Sequence, residues 1–195
     1  MKETIKNLCK AFIGESEARN RYTFYSRAAF KEGYIQLSDI FMLTAENERE
    51  HAKKLLEMIN ELKAKAKMKP AEAVLVDAEA NTSFGDTKAN LQAAIAGEHY
   101  ETTSMYPDFA KVAQKEGLTD IAGRLRSLAV AEAHHEERYA KYLGLIESGA
   151  LWKRSEVKAW VCHECGYVHV GKEPPKVCPS CKHPSNFFMI KSEEF

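Results

Sequence analysis

The chain has 195 residues, 45% of them hydrophobic, so one or two domains with a sizeable core are expected. Lys+Arg and Asp+Glu number 28 each, and a net charge of zero leaves no basic footprint for nucleic acid. No apolar run reaches the length of a membrane span, and the opening Met1-Lys2-Glu3-Thr4-Ile5-Lys6 has no signal-peptide core, so a cytoplasmic location is expected.

Residues 3–31 have helical periodicity and stop at Gly33. Their apolar stripe runs through Ile5, Leu8, Phe12, Ala18, Tyr22, Tyr25 and Ala29, and Glu15 interrupts it. Cys9 falls beside the stripe and reads as a small buried hydrophobe. A second helix is predicted over 36–66, with a basic run from Lys63 to Lys69 suited to a helix C-terminus, and Pro70 ends it. Its stripe of Ala45, Ala52, Leu55, Ile59 and Leu62 includes Glu48 and His51. Residues 70–86 carry the short run Val74-Leu75-Val76 and a turn-like Asn81-Thr82-Ser83-Phe84-Gly85-Asp86, and read as a long crossover.

A third helix begins near Thr87, with Asp86 or Thr87 as N-cap, and runs to about Glu116 before Gly117. Its stripe of Leu91, Ala94, Ile95, Met105 and Phe109 includes Glu98 and Glu101. Pro107 removes a backbone donor from this helix and predicts a kink or a bulge close to Glu101. The fourth helix runs from Thr119 or Asp120 to about Glu147 and stops at Gly149. Glu132 and His135 lie on its stripe with Leu125, Leu128, Ala129, Tyr139 and Leu143.

These acids and imidazoles form one pattern. Glu48 and His51, like Glu132 and His135, are three apart and project from one helix face. The order is the same in both halves: a Glu on one helix, a Glu-x-x-His on the next, with 33 positions from Glu15 to Glu48 and 34 from Glu98 to Glu132. A carboxylate on a core stripe is costly unless it is paired or holds a metal. One Glu from each of two helices, with Glu-x-x-His from each of the other two, is the donor set of a di-iron carboxylate bundle. The plainer alternative, a metal-free Glu–Arg network using Arg19, Arg49 or Arg138, leaves the two matched histidines unexplained.

After a linker at 151–158, residues 159–195 lose the helical period. The segment is too small to hold a core by burial alone, so it needs a staple. Cys162-x-x-Cys165 and Cys178-x-x-Cys181, 12 residues apart, predict a four-thiolate tetrahedral metal site. Zinc would make it structural and iron would make it a one-electron carrier. His163, His169 and His183 are expected to be non-ligands, as are His99 and His134 in the helical part. Trp160, Tyr167, Phe187 and Phe188 supply a small aromatic core.

Together the motifs resemble the rubrerythrin family over nearly the whole chain. The first helix carries Gly14-Glu15-Ser16-Glu17-Ala18-Arg19-Asn20-Arg21-Tyr22, and the second Glu48-Arg49-Glu50-His51-Ala52. The third carries Gly97-Glu98-His99-Tyr100-Glu101, and the fourth Ala131-Glu132-Ala133-His134-His135-Glu136. The cysteine pairs, with Gly166 and Tyr167 after the first, resemble the family's rubredoxin-like domain. Departures are small: Ala133-His134 replaces acidic or bulky apolar residues, and Lys182 follows the last Cys where rubredoxins often have Gly.

The resemblance implies a mainly α fold, a ferritin-like four-helix bundle over 1–150, followed by a rubredoxin-like domain over 159–195. It implies two non-haem irons held by Glu15, Glu48, His51, Glu98, Glu101, Glu132 and His135, with Glu48 and Glu132 bridging. It further implies that His51 and Glu101 exchange at one iron, that Tyr22 and Tyr106 stand near the site, and that Cys162, Cys165, Cys178 and Cys181 hold a third iron, with zinc as a substitute. The implied activity is reduction of hydrogen peroxide to water in oxidative-stress defence. Electrons would come from rubredoxin or an NAD(P)H-dependent reductase, in a homodimer or higher oligomer whose cysteine modules dock between chains. A ferroxidase, iron-handling or dioxygen-reducing protein of ferritin type is the rival reading.

Overall fold

A computed structural model describes residues 1–192, and residues 193–195, the end of the expected C-terminal module, lie outside the described residues. Two long antiparallel helices come first, α1 (Lys2–Lys31) and α2 (Ile35–Lys65). The predicted third helix is three segments in line: α3 (Thr87–Tyr100), a π-helical turn (Glu101–Met105) and α4 (Tyr106–Lys115). α5 (Thr119–Glu147) completes the bundle. Gly33, Gly117 and Gly149 follow α1, α4 and α5 with φ of 88°, 77° and 66°, the left-handed backbone that lets a chain fold back on its last turn. Among the described residues, no helix is long and apolar enough to cross a membrane.

The crossover at 70–86 has no regular structure but is tied down at both ends. Lys63, the first residue of the basic run at the helix C-terminus, is buried, and its Nζ donates to the carbonyls of Pro70 (2.8 Å) and Glu72 (2.5 Å). The acceptors come from the returning chain, which the helical pattern of 36–66 does not reveal. Further along, Tyr25 donates to the Ser83 carbonyl at 2.6 Å, and the Asn90 side chain pairs with both backbone groups of Gly85. Asp86 caps α3 by accepting from the Ala89 N–H at 2.8 Å.

Two apolar clusters fill the bundle. One gathers Leu8, Leu55, Leu62, Tyr106 and Leu125, and the other Tyr22, Tyr25, Phe41, Leu91 and Tyr139. Between them along every long helix lie the acids and histidines of the predicted pattern. Cys9 is half-buried against the first cluster, as a small hydrophobe would be.

The C-terminal module is a three-stranded antiparallel sheet in the order β2-β1-β3, with β1 Lys158–Cys162, β2 Val168–Gly171 and β3 Phe188–Ile190. Trp160, Cys162, Cys178 and Phe188 are its buried centre. The module seats on the turn between α1 and α2. Asn186 donates to the Gly33 carbonyl at 2.9 Å, His163 Nε2 lies 2.5 Å from Asp39 Oδ2, and Trp152 stacks on Tyr34 at 5.7 Å.

Candidate metal centres

The bundle site is built from four helices and one interruption. Glu15 sits mid-α1, Glu48 and His51 one turn apart on α2, Glu98 near the end of α3, and Glu132 and His135 one turn apart on α5. Glu15, Glu48, Glu98, Glu132 and His135 are at most 3% exposed. His51 Nδ1 lies 2.9 Å from Glu48, 3.1 Å from Glu132 and 3.7 Å from Glu15. His135 Nδ1 lies 2.9 Å from Glu132, 3.1 Å from Glu48 and 3.5 Å from Glu98.

Donor atoms of Glu15, Glu48, His51 and Glu132 lie within 4.8 Å of one another, as do those of Glu48, Glu98, Glu132 and His135. The two groups share Glu48 and Glu132, so two cations fit side by side with those carboxylates between them. The inward-facing oxygens Glu15 Oε2, Glu98 Oε2 and both of Glu48 and Glu132, with both Nδ1 atoms, are buried and make no hydrogen bond. So many orphaned donors and acceptors in one place would be untenable in an apolar core, and they fit a pair of metal ions.

The electrostatics agree. Burial, with Glu48 and Glu132 nearby, holds the Glu15 carboxyl well above its usual range, despite His51. Burial likewise raises Glu98 to about 7. Burial pushes Glu48 the same way, but His135 and His51 prevail and bring it down to about 2. Against the effect of burial, contacts with Glu132, Glu48 and Glu98 push His135 up to about 12, and Glu132, Glu15 and Glu48 raise His51. The raised groups favour bound protons, which divalent cations would displace.

Tyr22 donates to Glu98 and Tyr106 to Glu15, so each of the two unshared carboxylates is oriented by a buried phenol. Burial and these carboxylates keep both phenols well above their ordinary pKa. Tyr139, read from the sequence only as a core residue, stands edge-on to Tyr22 at 5.5 Å, and the Glu98 charge adds to burial in raising its phenol. Its position four residues after His135 was the available signal.

Glu101 is different. It opens the π-helical turn, as the proline-induced bulge predicted, and belongs to neither group of four. It is partly exposed, with Oε1 3.8 Å from where a Cβ on Gly14 would stand. Burial of the carboxyl beside Glu15 and Glu98 holds it well above the usual carboxylate range. His134 is exposed, and His99 pairs with Glu136 at the surface at 2.9 Å, so both stand apart from the cluster as expected.

In the module, the four cysteine sulfurs lie within 4.8 Å of one another. Cys162–Cys181 and Cys165–Cys178 are 3.6 Å apart, close to the edge of about 3.8 Å for a tetrahedron with metal–sulfur bonds of about 2.3 Å. The backbone N–H of Tyr167 lowers the Cys165 thiol to about 6, favouring the thiolate that binds metal. His183 Nδ1 comes within 3.3 Å of Cys181, and none of the module's three histidines joins the four-sulfur group.

Comparison with known proteins decides the family. The rubrerythrin profile matches residues 6–143, and the rubrerythrin rubredoxin-like domain profile matches residues 160–189. The chain belongs to the rubrerythrin family. It is 55% identical to a putative rubrerythrin of Methanocaldococcus jannaschii, over all of this chain and 96% of that one. It is 43% identical to the rubrerythrin of Nitratidesulfovibrio vulgaris, over 96% of this chain and 93% of that one. Among solved structures it is similar to fully reduced, all-ferrous nigerythrin, with a TM-score of 0.63 and 30% identity over 96% of this chain and 86% of that one. A Desulfovibrio desulfuricans bacterioferritin shares the fold, with a TM-score of 0.65 and 21% identity over 76% of this chain and 82% of that one. This rubrerythrin is thus an iron-dependent oxidoreductase with a di-iron site in a ferritin-like bundle and a rubredoxin-like iron site.

Proposed function

We propose that this rubrerythrin reduces hydrogen peroxide to water. The carrying observation is a buried carboxylate–imidazole cluster whose one uncommitted acid, Glu101, faces a cleft, in the same chain as a four-thiolate site. The reaction takes two electrons and two protons per peroxide and gives two waters. Bound iron supplies the electrons, one from each ferrous ion, and cationic charge for the departing oxygen.

The chain's own residues do the rest. Glu15, Glu48, Glu98, Glu132, His51 and His135 would hold the two irons, and Tyr22 and Tyr106 keep Glu98 and Glu15 oriented. Glu101, at the edge of the cluster, is placed to relay a proton to the leaving oxygen, and as a carboxylate it would be a further ligand. The apolar clusters on either side exclude water from the rest of the site. Cys162, Cys165, Cys178 and Cys181 would hold the iron that returns electrons one at a time, supplied by rubredoxin or an NAD(P)H-dependent reductase.

We further propose a homodimer in which one chain's module serves the other's bundle. The linker at 151–158 is short. On its own bundle the module touches Asp39, roughly 14 Å of helix from Glu48.

Anaerobic stopped-flow mixing of the reduced, iron-loaded protein tests the reading. Fast recovery of the ferric thiolate bands with peroxide, and slow recovery with dioxygen, is the expected result. Faster oxidation by dioxygen would replace it with the oxidase or ferroxidase reading.

A further inference from the structure

The cluster is reachable from solvent at two points. His51, 15% exposed, looks into a cleft of about 660 Å³ between α2 and α5, and Glu101 into one of about 740 Å³ bordered by α1, α3 and the crossover. Both clefts have a glycine in their walls where a Cβ would meet nothing within 4 Å: Gly123 in the first, Gly97 in the second. Each of these glycines sits inside a helix, where it costs stability relative to alanine. Neither has positive φ, so backbone geometry does not require them.

The two mouths differ in chemistry. At the His51 side, Nδ1 is crowded by three carboxylates within 3.7 Å, so that face of the cluster is already committed. At the other, Glu101 stands outside both groups of donors, so that side of the cluster carries a carboxylate not committed to either group. The His51 cleft carries Lys54 and Arg124 against Asp120, a cationic balance. The Glu101 cleft carries Lys10 and Arg21 against Glu17, Asp77 and Glu79, so it is mildly acidic even with Glu101 protonated. An acidic passage disfavours anions and leaves neutral molecules unaffected.

Resting on the peroxidase reading, we propose that the cleft between α1, α3 and the crossover is the entry route for a small neutral oxidant, and that Gly97 keeps it open. Superoxide and other anionic oxidants are discriminated against by Glu17, Asp77 and Glu79. Gly97 is a positioning residue in this scheme: it has no side chain to offer the metals, a Cβ there would meet nothing within 4 Å, and it acts by leaving space.

The test uses full-length, iron-loaded protein carrying Gly97→Ala, Gly97→Leu or, in the other cleft, Gly123→Leu. Iron content, the thiolate-iron spectrum and thermal stability are read first, and all three variants are expected to match or exceed the parent in stability. Association of nitric oxide, a neutral ligand of ferrous iron, is then followed in the reduced protein, alongside oxidation by hydrogen peroxide. Gly97→Leu is expected to slow both by about tenfold or more and Gly97→Ala by less, while Gly123→Leu changes them less than about twofold. Unchanged nitric oxide association in both Gly97 variants, or slowing confined to Gly123→Leu, would overturn the route. A parent inert to peroxide would sink the peroxidase reading, and the nitric oxide arm would still decide the route. Should Gly97→Leu lose iron, Gly97→Ala carries the same comparison.

Discussion

Glu48 and Glu132 are related by an approximate two-fold. Each sets one carboxylate oxygen 2.9 Å from the histidine on its own helix and the other 3.1 Å from the histidine on the facing helix. The i, i+3 spacing fixes the first contact, and the second exists only because α2 and α5 face each other. The symmetry extends outward, since Glu15 takes its phenol from α4 and Glu98 takes its phenol from α1.

Shared carboxylates predict shared loss. Glu48→Ala or Glu132→Ala should remove both cluster irons and leave the thiolate iron in place. Glu15→Ala should weaken one position and spare the other. Iron counting with cobalt titration of the metal-free protein distinguishes the patterns. Loss of a single metal from Glu48→Ala would show that it does not bridge.

Tyr106→Phe removes the donor to Glu15 and leaves a buried oxygen unpaired. The metal-free protein should lose about 1–2 kcal/mol by denaturant unfolding. Tyr22→Phe should behave similarly through Glu98.

Metal-free stability should fall as pH rises from about 5 to 9. Glu98, raised to about 7, stabilises the fold below the ordinary carboxylate pKa of about 4.3, and that contribution is lost as pH rises through 7. His135, raised to about 12, contributes fully below about 6.5 and progressively less on the way up to 12. Glu48, lowered to about 2, acts in the opposite sense, but its contribution is complete above about 4.3 and lost only as pH falls towards 2. Each unmatched proton is worth about 1.4 kcal/mol per pH unit at most. Thermal melts at pH 5, 7 and 9 should therefore step downwards without metal. With metal they should instead rise between about pH 5 and 7, because the metal-bound histidines have already released protons that the unfolded chain still holds below about 6.5.

Lys182→Gly should stabilise the module. Gly166 and Lys182 occupy matching positions after the second cysteine of each pair, with φ of 73° and 66°. The N–H of each closes its turn, Gly166 on the Cys162 carbonyl and Lys182 on the Cys178 carbonyl. Left-handed backbone costs a residue with a side chain about 1–2 kcal/mol, partly offset by the greater freedom of glycine in the unfolded chain. A net gain of about 1 kcal/mol, read from iron loss on heating or in denaturant, is expected.

Mixing experiments address the dimer. Chains lacking Cys165 and Cys178, combined with chains lacking Glu48, should regain peroxide turnover if modules serve the opposite bundle. Failure to regain it in verified mixed dimers would place electron transfer within one chain.

The sequence by itself determined what each element could be. Helical periodicity with acids in the stripe named Glu15, Glu48, Glu98 and Glu132, three-residue spacing named His51 and His135, and the paired cysteines named the second centre. The bulge near Glu101 was also legible, because Pro107 cannot donate a backbone bond wherever it sits. What only the tertiary structure decided depends on contacts between distant parts of the chain. It buried Lys63 under the returning crossover, set Glu101 beside the cluster instead of within either group of four, and seated the module on Gly33 and Asp39. Local spacing follows from 3.6 residues per turn and from the left-handed backbone at glycines. Which face meets which is fixed by packing that no single stretch of sequence contains.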